Sequence, residues 1–81
     1  MIMVDIRVPN LNRTYDFELD EEMKTDILIK KIIQTITEKE RLKDCEGNDM
    51  LLFDLSRETV LSGNCSLKQQ GVKSGAQLFL I

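Results

Sequence analysis

The 81-residue chain has no histidine and no tryptophan, and holds one proline, four glycines and two cysteines. Without histidine there is no imidazole to serve as the base for a serine or cysteine nucleophile, and no neutral nitrogen ligand for zinc. Cys45 and Cys65 form no CxxC pair, so neither a zinc set nor a thioredoxin-type redox motif is present, and both read as ordinary reduced thiols. No glycine-rich phosphate loop occurs, and Gly63, Gly71 and Gly75 read as turn residues. So little glycine and proline leaves no low-complexity or disordered stretch. The apolar run at residues 1–4 is broken by Asp5 and Arg7, so neither a signal peptide nor a membrane span fits, and a cytoplasmic location is expected. A net charge of −3 argues against nucleic acid, where affinity comes mainly from Lys and Arg on phosphates. No catalytic residue, metal site or cofactor is expected.

What is present is the composition of a soluble globular protein, 42% hydrophobic and 31% charged, and at this length one domain over residues 1–81. Ile2, Val4, Ile6 and Val8 alternate with Met3, Asp5 and Arg7, the period of a half-buried strand. Pro9 and Asn10 supply a turn, and Tyr15, Phe17 and Leu19 continue the alternation in a second strand, so the two should pair as a hairpin. From Thr25 the period changes. Ile29, Ile32, Ile33 and Ile36 stand at i, i+3, i+4 and i+7, one face of a helix, with Lys30, Lys31, Gln34, Thr35, Glu38 and Lys39 turned away. Thr25 or Asp26 is placed to cap the helix, and the acids between Asp20 and Glu22 suit its positive end. These acids, with Asp16 and Glu18, and the basic Lys30, Lys31, Lys39, Arg41 and Lys43 otherwise read as solvated faces.

Residues 40–49 read as a polar connector, 50–55 as a third strand, 59–61 as a short fourth, 66–72 as a 3₁₀-like turn anchored by Leu67 and Val72, and 77–81 as the last strand. A helix laid across one face of a mixed sheet of four to five strands is an α+β, β-grasp arrangement.

The segment Ser66-Leu67, Gly71-Val72, Ser74-Gly75 and the strand after it is similar in spacing to the last third of ubiquitin. More narrowly, IKKIIQ (29–34), VLSGNCSLKQQGVKSGAQLFLI (60–81) and an end within the final strand resemble the small bacterial YukD/EsaB family. That resemblance implies a ubiquitin-like fold and an accessory role in type VII (ESX-type) secretion in Gram-positive bacteria. It also implies a protein partner within the secretion machine and a place at the periphery of a membrane complex, without insertion. Whether the domain pairs with itself stays open.

Ubiquitin-like modifiers and sulfur carriers need an extended tail ending in Gly-Gly, because only residues without a Cβ pass readily into an activating enzyme. The sequence ends Phe79-Leu80-Ile81, so a modifier or carrier is the disfavoured alternative to a non-covalent binding module. In ubiquitin the third and fifth strands are neighbours, and their outward side is an apolar binding face. If Leu51, Phe53, Leu55, Leu78 and Leu80 face the helix, then Leu52, Phe79 and Ile81 match that outward side and form the expected docking patch, with Met3 nearby. A reversed strand phase, or residues 40–49 folded over the patch, would hide it. Lys30, Lys31 and Gln34 on the helix are the second candidate surface.

Overall fold

A computed structural model describes residues 1–41 and 50–81. Apart from Glu40 and Arg41, the connector expected over 40–49 lies outside them, as do Lys43 and Cys45. The alternating residues at the start form β1 (Ile2–Val8) and β2 (Arg13–Leu19), an antiparallel hairpin turned by a 3₁₀ segment, Pro9–Leu11. Proline opens that segment, where its missing N–H costs nothing, and Asn12 closes it in the left-handed region. The helix α1 (Thr25–Glu40) follows, then β3 (Leu52–Asp54), the two-residue β4 (Thr59–Val60) and β5 (Gln77–Leu80). The sheet order is β2-β1-β5-β3-β4, with β1 and β5 parallel and every other pair antiparallel. The expected α+β ubiquitin-like β-grasp is therefore the observed fold.

The isoleucine stripe does what its spacing predicts: Ile29, Ile32, Ile33 and Ile36 are buried, joined by Leu28 and Thr25. They meet Val4, Ile6, Val8, Tyr15, Leu19, Leu78 and Leu80 on the inner face of the sheet. Leu61, Leu67 and Val72 seal the core from the connecting segments. Burying each such aliphatic side chain contributes roughly 1.5–3 kcal/mol, so this core is the main source of stability.

Helix capping differs from the expectation. Neither Thr25 nor Asp26 caps; the N-cap is Lys24, whose side chain makes no capping bond. The first N–H groups are satisfied from afar: Thr25 N–H donates to the Cys65 carbonyl at 2.9 Å and Asp26 N–H to the Gly63 carbonyl at 3.1 Å. That close approach explains Gly63, because a Cβ there would stand 3.2 Å from the Asp26 Cβ. The Thr25 hydroxyl donates to the same Cys65 carbonyl at 2.7 Å. Gln70 completes the junction. Its side-chain oxygen accepts the Ser62 N–H, and its amide nitrogen lies 3.1 Å from both the Thr25 hydroxyl and the Ser62 carbonyl. Gly71, at φ 77°, leaves room for the Arg57 guanidinium, which donates to the Gln70 carbonyl at 2.8 Å. At its other end the helix stops at Arg41, in the left-handed region, whose N–H donates to Thr37. Tyr15 hydroxyl donates to Glu40 at 2.9 Å, so the last helical turn is tied to β2.

Candidate interaction surface

The helix covers one face of the sheet, and the pairing register decides which side chains occupy the other. Leu52 pairs with Leu80 and Asp54 with Leu78, while Phe53 pairs with Phe79. Cross-strand partners share a face, so the buried Leu78 and Leu80 take Leu52 and Asp54 inward with them. Leu52 is fully buried and does not belong to the outward patch expected of it. The phase of β3 is opposite to the sequence reading. Phe53, Leu51 and Leu55 face out instead, whereas β5 has the expected phase, with Phe79 half-buried on the outside and Ile81 exposed.

The phase turns on Asp54. Its neighbours on 50–53 are apolar in both phases, so alternation alone does not set the phase of this strand. In the structure Asp54 is almost wholly buried, and it accepts the Ser56 N–H at 3.0 Å, closing the turn toward β4. A hydrogen bond to a charged acceptor offsets part of its desolvation.

The outward face is built around two rings. The Phe53 and Phe79 centroids are 6.5 Å apart with planes tilted by 43°, within the range of favourable aromatic pairs. Val60 pairs with Phe53 from β4, and Leu51 exchanges backbone hydrogen bonds with Ile81. Leu51, Leu55, Val60 and Ile81 are each 40–49% exposed. Grouped on adjoining strands, they make one apolar strip, unlike isolated surface leucines. Met3 is exposed too, on the same outward side of β1 as Asp5 and Arg7.

Toward β1 and β2 the same face becomes acidic. Asp5 stands directly across from Asp16, with Glu18 beside them, and Arg7 pairs with Phe79 at the boundary. A shared hydrogen bond with Asp16, then burial, then the Asp16 charge push the Asp5 carboxyl above its usual range. A shallow depression of about 200 Å³ runs along the boundary between Phe79, Leu55, Gln77, Asp5, Arg7 and Thr14. The side is thus half apolar and half acidic, suited to a partner that brings an apolar anchor and a cation together.

Around the helix, Ile27 is exposed beside Lys30, Lys31 and Gln34, giving a polar surface with one apolar side chain. Cys65 is half-buried and its role in the fold is that of its backbone carbonyl. Among the described residues no group of His, Cys, Asp or Glu could hold a metal ion, and no helix is long and apolar enough to cross a membrane.

No protein-family model matches this chain, and no curated protein matches it. Solved structures do. The ubiquitin-like domain of EccD5 from Mycobacterium xenopi superposes with a TM-score of 0.80 at 21% identity, over 99% of this chain and 91% of that one. A designed protein based on human erythrocytic ubiquitin gives a TM-score of 0.76 at 17% identity, over 100% of this chain and 90% of that one. A chain of the MycP5-free ESX-5 inner membrane complex gives a TM-score of 0.80 at 15% identity; 99% of this chain lies on 20% of that one. At these identities the likeness is one of fold, and the fold is ubiquitin-like.

Proposed function

We propose that this protein is a non-conjugating, non-catalytic ubiquitin-like interaction module, an accessory or regulatory component of a type VII secretion system. It docks on a cytoplasmic part of the membrane-bound machine through the outward face of its sheet. The observation that carries the docking site is the half-buried Phe53–Phe79 pair, set among the exposed Leu51, Leu55, Val60 and Ile81 on the face the helix leaves uncovered. Rigid rings supply much contact area at little entropic cost, and such anchors commonly dominate interfaces. Two supports favour a secretion setting: the sequence resemblance to the YukD/EsaB family, and the fold likeness to the EccD5 ubiquitin-like domain and to a chain of the ESX-5 inner membrane complex.

Phe79→Asp tests the site, because the ring is half-buried on the outer side and its loss opens no cavity in the core. The variant is expected to keep the parent's circular dichroism and melt. Its pull-down of secretion-machine components should weaken by about 2 kcal/mol or more, and export of WXG-type substrates in the native host should fall. A folded variant that binds and supports export like the parent would move the site to Lys30, Lys31 and Gln34. Intact mass from cell extract distinguishes a docking module, whose mass is unchanged, from a modifier or sulfur carrier, whose mass is not.

A further inference from the structure

The sheet has two edges of unequal character. On one side β4 is only two residues long, but on the other β2 runs seven residues in unbroken register with β1, with no bulge and no proline. Its outward backbone groups follow from the bonds on the far side of β1. Asp5 N–H donates to the Ala76 carbonyl at 3.0 Å and Gly75 N–H donates to the Met3 carbonyl at 2.7 Å, so Met3 and Asp5 turn their main chain toward β5. Val4 and Ile6 must then bond Phe17 and Tyr15, their partners in β2. The N–H and C=O groups of Thr14, Asp16 and Glu18 point away from the sheet, and among the described residues none of them has a partner.

Beside this edge lies a groove of about 230 Å³ between β2 and α1. Phe17, Met23, Leu28 and Ile32 line it, and Lys31 and Thr35 stand on its helix rim. It is closed toward the helix C-terminus, where Tyr15 bonds Glu40 and Lys39 sits 5.5 Å from the Tyr15 ring centroid.

We propose that β2 accepts an extended segment of a partner protein as a sixth strand, and that this segment alternates apolar with basic residues. Side chains of an added strand alternate between faces. Those on the helix side enter the apolar groove. Those on the other side come to lie beside Asp16 and Glu18, with Asp5 one strand further in, where Lys or Arg neutralises a row of carboxylates. Charge also decides against a second copy of this chain, because another β2 would bring its own Asp16 and Glu18 to the same side. This edge is separate from the Phe53–Phe79 strip, and neither proposal needs the other.

The probe is a fluorescein-labelled synthetic nonapeptide alternating Lys and Val. Controls are the same peptide with Glu for Lys, and one N-methylated at alternate backbone nitrogens, in each of the two phases. By anisotropy the Lys peptide should bind; the Glu peptide and the methylated peptide of one phase should bind weaker by about tenfold or more. Asp16→Lys with Glu18→Lys, both at exposed positions, should reverse the preference between Lys and Glu peptides. Amide exchange at Thr14, Asp16 and Glu18 should slow on binding, with Phe53 and Phe79 unchanged. Absence of binding, equal binding of both methylated peptides, or protection confined to Phe53 and Phe79 would each overturn the proposal. None of these outcomes touches the docking result for Phe79→Asp.

Discussion

The side-chain amide of Gln70 meets the hydroxyl of Thr25 at 3.1 Å, joining the first residue of the helix to a segment 45 positions later. The hydroxyl in turn donates a hydrogen bond to the Cys65 carbonyl, which also accepts the Thr25 N–H. A side chain from the second half of the chain thereby completes the cap that the local sequence does not provide.

Gln70→Ala should lower stability by about 0.5–1.5 kcal/mol, because the part-buried Thr25 junction loses a partner while the exposed Ser62 N–H can turn to water. A denaturant titration measures this. Gln70→Glu sharpens the point: a carboxylate among the carbonyls of Ser62, Cys65 and Ser66 is repelled, so its folded pKa rises above the unfolded one. Its stability should therefore fall as pH rises through the carboxyl range, and recover in acid. A deficit that does not change with pH would rule out this reading of the junction.

Leu52→Asp and Phe53→Asp are adjacent substitutions with opposite expected outcomes. Leu52 is fully buried, so an aspartate there should cost about 3 kcal/mol or more and unfold much of the population. Phe53 lies on the outer face, so its variant should stay folded. Thermal melts of both decide the phase of β3; unfolding of the Phe53 variant with a stable Leu52 variant would reverse it.

Asp5→Asn should stabilise the protein at neutral pH. Because the Asp16 partner and burial raise the folded pKa of Asp5, the folded state holds a proton that the unfolded state has released, and stability declines as pH rises through that window. Above it the two facing carboxylates oppose folding in full. The gain from Asp5→Asn in melting temperature should thus be largest near pH 7 and vanish below the carboxyl range. An equal gain at both ends would mean that charge is not its cause.

Much of the fold was legible because its periods are unambiguous. Ile29, Ile32, Ile33 and Ile36 have the spacing of a helix and of nothing else, and Ile2 through Val8 alternate over a full strand. The proposed docking face was only half legible. Residues 50–53 are all apolar, so alternation carries no phase there, and the burial of Asp54, which accepts a turn bond from Ser56, has no signature in the strand itself. The register Phe53 to Phe79 would have settled it, but register belongs to the sheet and not to either strand alone. Gln70 was silent for a related reason. One glutamine in a polar turn has no local signature, and its partner Thr25 is remote in sequence.

The parallel pairing of β1 with β5 has a consequence for how the protein is made. Asp5 lies beside Gln77, so the middle of the sheet joins β1 to β5, the first and last of the described strands. A nascent chain can form the β1–β2 hairpin and the helix early, but the inner edge of β1 stays bare until residues 77–80 have left the ribosome. Most of the core closes only at that moment, since Leu78 and Leu80 complete the inner face against Ile6 and Leu52. Contacts that distant in sequence delay folding until β5 is available. Until then the chain exposes its isoleucine stripe and an unpaired strand, so a fragment lacking residues 77–80 is expected to aggregate or be degraded.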